Sequence, residues 1–287
     1  MKQELGAEDP AAHYDAFDAD ETRKTFFTPG KNVQGAFRYP AGSISAYKLT
    51  TGILKLCLRR GLHLHTTTPV TSFRPFTAPT DSTHKTSSTP RWTATTPRGP
   101  IHTPALILAT NGYTPHLLPA LQGQIVPLRG QVTAQRPGSN LRPAPEGVLP
   151  RGGLPTTYSF VYDTGYEYMI PRPHTSDVPA ECRGDVVIGG GLGRLPDEGL
   201  AEFGETDDAV VSAENSAYLR ECARSYFGGN WGVDDEQGRV RREWTGIMGI
   251  TKDGRPLVGE MPGMEGLWIC AGFNGHGMFV SVLVALL

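Results

Sequence analysis

The chain has 287 residues, of which 38% are hydrophobic and 20% are charged, the composition of an ordinary globular protein with a sizeable core. Its 27 basic and 29 acidic residues leave a net charge of −2. This near balance excludes a strongly basic protein, so we expect neither nucleic acid nor an anionic membrane as a partner.

Three further sequence features bear on where the protein works. The first ten residues lack the apolar core of a signal peptide, and the chain contains no Asn-x-Ser/Thr sequon. Its four cysteines are far apart and form no CxxC pair, which favours buried free thiols. The most apolar run, residues 278–287, is about half as long as a bilayer requires. These features predict a cytoplasmic protein without a membrane anchor.

The first half of the chain mixes helical and strand patterns. The predicted elements, in chain order, are a helix within 11–30, a turn at 39–45, a helix from about Ser45 to Arg60, strand-forming segments at 63–66 and 70–73, a Thr-, Ser- and Pro-rich loop at 74–91, and strands at 92–96 and 101–109. The run Ala105–Ala109 is unbroken and apolar, which is typical of a strand buried on both faces.

The second half is richer in short strands separated by loops, a pattern that predicts an antiparallel sheet. The strand segments are Val126–Ala134, Tyr158–Tyr162, Tyr166–Pro171 and Asp185–Gly189. An amphipathic helix is predicted at 207–227, closed by the glycine pair that follows it. A last strand, Leu267–Ala271, leads through a glycine-rich turn into an apolar helix.

The two kinds of pattern alternate along the chain and predict two discontinuous domains. Residues 40–121 and 246–287 combine helices and strands, whereas residues 1–39 and 122–245 are richer in strands. The fold class is therefore mixed α/β, or α+β, with an antiparallel sheet in the second domain.

Two motifs near the C-terminus carry a family resemblance. Residues 246–259 read G-I-M-G-I-T-K-D-G-R-P-L-V-G, and residues 272–277, after a strand, read G-F-N-G-H-G. Together they resemble the C-terminal flavin signature of the D-amino-acid oxidase (DAO) superfamily, which includes glycine, sarcosine, D-amino-acid and glutamylputrescine oxidases. Further segments match in the same order: Arg38–Gly42, Pro69–Ser72, Ala109–Tyr113, Pro127–Gln131 and Tyr168–Arg172.

The resemblance implies an FAD-dependent oxidoreductase that oxidises a small-molecule amine or amino acid by hydride transfer to flavin, with oxygen as the expected acceptor. It assigns residues 40–121 and 246–287 to a Rossmann-like FAD-binding domain, and residues 1–39 and 122–245 to an interleaved substrate domain. The family begins with a strand, a G-x-G-x-x-G turn and a helix that hold the FAD diphosphate, and nothing before residue 39 resembles that unit. The FAD-binding domain is therefore expected to be incomplete.

The resemblance also implies which residues contact the cofactor. Val70 would contact the adenine through its backbone, the loop after the buried strand would pass near the cofactor, and Asp253 would shape the loop beside the flavin ring. The candidates are Val70, Thr110, Asn111, Gly112, Asp253, Gly254, Gly272, Phe273, Asn274, Gly275, His276, Gly277 and Met278. Gly246 stands where some sarcosine oxidases carry a flavin-linked cysteine, so non-covalent FAD is expected.

The glycines at 272, 275 and 277 also support a flavin site on physical grounds. Glycine permits positive φ and a close approach of the backbone to a flat ring. The helix that follows them would place partial positive charge beside a reduced flavin. The alternative is a glycine-rich turn that binds no ligand. A second glycine run, residues 189–193, does not complete G-x-G-x-x-G, and Pro196 disfavours a helix there. We interpret it as a strand of the substrate domain.

Four residues are candidates for contact with the substrate. Strand alternation puts Tyr166 and Tyr168 on one face, where they would stack an apolar substrate, and Arg172 would pair with a carboxylate. The alternative is two half-buried strand tyrosines and a surface arginine. His276 either hydrogen-bonds near the flavin ring or caps the helix, and Arg129 is a further candidate with a more structural character.

No metal site is expected, because His63 and His65 share a strand face without a third ligand. The rival hypothesis for the chain is a truncated, non-catalytic remnant of such an oxidase that does not retain FAD. The sequence leaves the substrate, the electron acceptor and the oligomeric state open.

Overall fold

The structure is a computed structural model that describes residues 13–77, 89–142, 153–154 and 156–278. The chain divides into two compact units, each built from separate segments. Unit one comprises residues 1–44, 130–200 and 208–246, and unit two comprises residues 45–129, 201–207 and 247–287. The assignment of chain segments to a substrate domain and an FAD-binding domain stays a prediction.

The described residues contain four α-helices, the beginning of a further helix at Gly277, and thirteen strands, which form four sheets. The predicted mixed α/β fold class is confirmed. The helices are α1 (Ala19–Thr25), α2 (Ala46–Arg59), α3 (Thr114–Leu117) and α4 (Ala213–Phe227). The strands are β1 (Asp15–Asp18), β2 (Gly35–Arg38), β3 (Ser72–Pro75), β4 (Trp92–Thr96), β5 (Gly99–Thr103), β6 (Leu106–Leu108), β7 (Ile125–Gln135), β8 (Tyr158–Tyr162), β9 (Gly165–Pro171), β10 (Val186–Gly190), β11 (Val240–Thr251), β12 (Leu257–Glu260) and β13 (Leu267–Ala271).

The main element of unit one is a five-stranded sheet in the order β11-β7-β10-β9-β8. Strand β10 pairs antiparallel with both β7 and β9, and β9 pairs antiparallel with β8, so the predicted antiparallel sheet is confirmed. Its core joins apolar residues of the sheet to those of α4. The fully buried members are Met169, Val186, Ile188, Leu219, Ala223, Phe227 and Trp231.

Two predicted helices of unit one begin later than the sequence pattern suggested. The segment 11–30 begins its described part with strand β1, and α1 follows only after Asp18 and Glu21 close a capping box. Helix α4 begins at Ala213 rather than near residue 207, because the Ser212 side chain accepts a hydrogen bond from the Asn215 amide. Side-chain caps therefore set both starts.

Unit two contains two three-stranded sheets. One has the order β12-β13-β6, with β13 antiparallel to β12 and parallel to β6. The other is the antiparallel meander β3-β4-β5. Buried apolar side chains from both sheets and from the segment around α3 form its core. They are Trp92, Leu108, Leu117, Leu118, Leu121, Ile125, Leu267, Ile269 and Ala271.

Three expectations for unit two were wrong. The predicted strand 101–109 is two strands, β5 and β6, and residues 63–66 form no strand. The run Ala105–Ala109 is not buried on both faces, because Ile107 is 66% exposed while Leu108 is buried. Only one face of β6 is covered by other described residues, whereas the unbroken apolar run predicted that both faces would be covered.

Helix α2 forms where it was predicted, with Ser45 as its N-cap and Gly61 in a left-handed conformation just after it. None of its residues is buried. Its apolar side chains are exposed to solvent: Tyr47 is 78% exposed, and Ile53, Leu56 and Leu58 are exposed as well. Within the part of the chain that the structure describes, α2 thus has an apolar surface that no other element covers.

The cysteines are free thiols, but only Cys222 is buried, and the other three are half-buried. Burial raises the pKa of the Cys222 thiol to about 12, which keeps it protonated and unreactive. Across the described ranges, no helix combines the length and the apolar character needed to cross a membrane.

Replacing Ser212 with alanine removes the cap of α4, so the free energy of unfolding should fall by about 1 kcal/mol. Urea denaturation followed by circular dichroism measures this loss. Ser176→Ala is the matched control, since Ser176 is exposed and lies outside any helix. Equal stabilities of the two variants would contradict the assignment of Ser212 as the cap.

Candidate active site

The glycine-rich turn of unit two begins directly after β13 and has an unusual backbone. Gly272, Asn274 and Gly275 have φ angles of 73°, 53° and 80°, all in the left-handed region. Glycine adopts this region without cost, and asparagine tolerates it better than most residues. A second left-handed asparagine, Asn111 with φ 44°, opens the 3-10 turn that follows β6.

The side chain of Asn111 holds the turn in place. Its Oδ1 accepts hydrogen bonds from the backbone amides of Gly272 at 2.9 Å and of Phe273 at 3.3 Å. One side-chain oxygen therefore satisfies two successive amides that a sharply bent backbone would otherwise leave unpaired. Asn111 was predicted to lie near the cofactor, and its described contacts are with the turn itself.

Asn274 ties the same turn to the end of β11. Its Oδ1 accepts from the Thr251 amide at 2.8 Å, and its Nδ2 donates to the Gly272 carbonyl at 2.7 Å and to the Thr251 hydroxyl at 3.0 Å. Its own amide donates to the Gly249 carbonyl at 3.0 Å. The turn is thus fixed from two sides, by the Asn111 oxygen and by the Asn274 carboxamide.

Close packing explains three glycines around the turn. A Cβ on Gly272 would lie 2.6 Å from the Thr251 methyl group, and one on Gly249 would lie 2.7 Å from Asn111 Oδ1. A Cβ on Gly112 would meet the Met248 carbonyl at 2.9 Å. Only glycine fits such approaches. Gly112 and Gly272, both predicted to bind cofactor, are therefore already required by the fold.

Gly275 differs from these glycines and is the residue that best fits a flat ligand. It is exposed, and a Cβ there would meet nothing closer than the Met248 sulfur at 3.8 Å. Its amide donates to no acceptor among the described residues, whereas the amides of Gly272, Phe273, Asn274 and His276 are all engaged. An open backbone with a spare donor on a fixed turn fits the edge of a flavin ring.

His276 is exposed beside Gly275, and its ring is oriented by a local contact. Its Nδ1 lies 2.8 Å from the Asn274 carbonyl oxygen, which can only accept, so Nδ1 carries the proton. With that proton on Nδ1, Nε2 is the ring nitrogen that faces away from this contact. The helix that begins at Gly277 is described only as far as the exposed Met278, and the predicted apolar helix beyond it lies outside the described residues.

The remaining cofactor candidates have mainly local contacts. Thr110 bonds Thr114 through their hydroxyls at 2.9 Å. Asp253 accepts from the Arg255 amide at 3.1 Å, a bond that lowers the pKa of its carboxyl group, and Gly254 next to it has φ 72°. This is the turn chemistry expected of Asp253. Val70 is half-buried, and the residue after it, Thr71, donates its amide to the Thr95 carbonyl of β4 at 3.0 Å.

The substrate candidates of unit one lie in two places. Tyr166 and Tyr168 lie on one face of β9 and are 53% and 38% exposed. Most of the Tyr168 side chain is covered, which raises the pKa of its phenol and keeps it neutral. Arg172 instead lines a cavity of about 560 Å³ together with Tyr39 and His174, and neither β9 tyrosine borders it. Arg172 has no carboxylate partner among the described residues.

Arg129, the further candidate, is a structural residue of unit two. Its guanidinium donates to the buried Glu202 at 2.6 Å, and both side chains are largely covered. That hydrogen bond raises the pKa of Arg129. The predicted strand at the second glycine run is β10, which pairs with β7 and β9 and ends in a 3-10 turn. No group of three or more potential metal ligands occurs among the described residues.

Sequence reasoning missed a buried carboxylate between the two β9 tyrosines. Glu167 is fully buried on the opposite face of β9, and it accepts hydrogen bonds from Tyr162 Oη at 2.6 Å and from Tyr226 of α4. Burial, and then the bond to Glu167, raise the pKa of both phenols. The alternation that placed the tyrosines outward already placed Glu167 inward, which was the available signal.

Comparisons with known proteins agree with this architecture. The sequence model of the DAO family, described as FAD dependent oxidoreductase, matches residues 1–287. Among curated proteins none matches significantly by sequence. Three solved structures share the fold: glycine oxidase from Geobacillus kaustophilus (21% identity, TM-score 0.66, 96% of this chain and 61% of that one), iminodiacetate oxidase from Chelativorans sp. BNC1 (18%, 0.64, 99% and 64%) and L-proline dehydrogenase from P. horikoshii (17%, 0.63, 93% and 61%). The chain thus spans less than two thirds of the length of each.

Replacing Glu167 with glutamine should destabilise unit one by about 2 kcal/mol, because an amide NH2 would face a phenol that needs an acceptor. Urea denaturation measures the loss, and the exposed Glu236→Gln serves as the control. Combining Glu167→Gln with Tyr226→Phe should cost less than the sum of the single changes. Strict additivity of the two losses would contradict a direct bond between these side chains.

Proposed function

The chain belongs to the DAO family of FAD dependent oxidoreductases, and from that premise we propose that it oxidises the C–N bond of an amine or amino acid to an imine. Non-covalently bound FAD would accept the two electrons of this oxidation. The observation that carries the proposal is the fixed turn at Gly272–Gly277, where an exposed backbone donor at Gly275 lies beside an oriented imidazole at His276.

The chain's own residues would do two things at this turn. The Gly275 amide would donate a hydrogen bond to the ring edge on which negative charge develops, and the Asn111 and Asn274 bonds would keep it aimed there. His276 Nε2 would accept a hydrogen bond from the cofactor or the substrate. A rigid donor of this kind contributes without having to reorganise during the reaction.

For substrate binding we propose Arg172, Tyr166 and Tyr168 of unit one. Arg172 lines a cavity and has no carboxylate partner in the part of the chain that the structure describes. Such a guanidinium is suited to a carboxylate, which it binds through two parallel hydrogen bonds. The two exposed phenols would stack against an apolar part of the substrate. Glycine, iminodiacetate and L-proline, after which the three similar proteins are named, each carry a carboxylate and an amine. This supports an amino acid as the substrate class.

The alternative is a remnant that does not retain FAD. One observation favours it: the apolar surface of α2 lacks a covering element among the described residues. The two hypotheses differ in whether the purified chain binds flavin.

The first prediction of the proposal is a bound-flavin visible spectrum after the chain has been incubated with FAD and desalted. Gly275→Ala should weaken FAD binding roughly tenfold, because a methyl group would stand where the ring edge approaches and about 1.4 kcal/mol corresponds to that factor. Gly238→Ala is the matched control, since Gly238 also has a positive φ of 83° and open space around it.

If the desalted chain contains no flavin, the result would support the hypothesis of a non-catalytic remnant over that of an FAD-dependent enzyme. Equal losses of FAD affinity in Gly275→Ala and Gly238→Ala would contradict the placement of the ring at Gly275, because the backbone strain is common to both variants.

A second prediction concerns Arg172. Arg172→Ala should raise KM for amino-acid substrates roughly 10- to 100-fold, the range expected for a charge-assisted pair, and leave KM for amines without a carboxylate unchanged. Steady-state imine or peroxide formation measures both. Arg242→Ala, which removes an exposed arginine of β11, is the control. An equal rise in KM for both substrate classes would show that Arg172 does not bind the substrate carboxylate.

A further inference from the structure

We propose that Asn111 is the positioning residue of the glycine turn, and that it holds residues 272–275 in their ligand-ready form before any cofactor binds. The inference rests on the proposed function only where it takes flavin to be the ligand of the turn. The role of Asn111 in holding the turn does not depend on the ligand.

Asn111 has a φ of 44°, in the left-handed region that residues with a side chain seldom adopt and that persists where the surroundings stabilise it. Here two hydrogen bonds do so, because Oδ1 accepts from the amides of Gly272 and Phe273. The bent backbone at residue 111 is thus coupled to the bent backbone at residue 272.

The Asn111 carboxamide packs closely against Gly249 of the neighbouring strand β11. A Cβ on Gly249 would lie 2.7 Å from Asn111 Oδ1, so a glycine at this position leaves the space that the oxygen occupies. The carboxamide Nδ2, by contrast, has no hydrogen-bond partner among the described residues. Only the oxygen of Asn111 therefore has a defined role.

These contacts predict how substitutions behave. Aspartate keeps an oxygen at Oδ1, tolerates a positive φ, and loses no hydrogen bond at the Nδ2 position. Alanine removes the acceptor and leaves two amides unpaired. If Asn111 acts through Oδ1, Asn111→Asp should therefore keep the Gly272 and Phe273 amides protected, and Asn111→Ala should expose them.

The decisive experiment is amide hydrogen exchange of the flavin-free chain, read at residues 272, 273 and 275. In the unmodified chain the Gly272 and Phe273 amides should exchange slowly and the Gly275 amide fast. Asn111→Ala should accelerate exchange at Gly272 and Phe273 by roughly tenfold or more, and Asn111→Asp should keep it slow. Asn230→Ala, which removes a single side-chain bond to the Phe27 carbonyl in unit one, is the control.

Fast exchange at Gly272 and Phe273 in the unmodified chain would overturn the proposal, even if Asn111→Ala failed to fold. So would exchange in Asn111→Ala as slow as in the unmodified chain, or acceleration in Asn111→Asp as large as in Asn111→Ala. The exchange experiment contains no flavin, so it tests the role of Asn111 separately from cofactor binding. A chain that shows the expected exchange but binds no FAD would refute the proposed function and would still support the role of Asn111.

Discussion

Parallel pairing of β6 with β13 is the constraint on which the candidate site depends. Leu108 lies opposite Ile269 in the register, so both strands end at the same edge of the sheet. Asn111 follows β6 and Gly272 follows β13, and the shared edge brings them within one hydrogen bond of each other. In open α/β sheets, ligands bind beyond the carboxyl ends of parallel strands. The turn occupies that position because of the pairing.

Much of this arrangement was readable from the sequence where the signal was local. Strands β4, β8 and β13 have the predicted bounds, because alternating or β-branched residues lie between clear turn signals. Helix α2 was found from its period and its glycine stop. Helix α4 was started too early because apolar spacing was given more weight than the serine cap at Ser212. The motifs identified the family and the turn.

What the sequence did not provide depends on contacts between distant residues. The Asn111 bond to Gly272 spans 161 positions, and the partner of Glu167 on α4 is 59 positions away. The exposure of Ile107 depends on what covers β6, a property that an apolar run does not encode. Arg172 was picked out for its charge, whereas its place in a cavity with Tyr39 required the folded unit.

The bare apolar surfaces of unit two have a consequence for how the chain behaves in solution. Ile107 and Trp268 are cross-strand neighbours, and both are largely exposed, while β6 is the last strand of its sheet. Among the described residues no strand lies beyond β6, and such an edge with apolar neighbours is a template for pairing between chains. The exposed apolar side chains of α2 form a second surface of this kind. The chain should therefore aggregate more readily as its concentration rises. Any binding partner that covers β6 and α2 would raise the solubility of the chain.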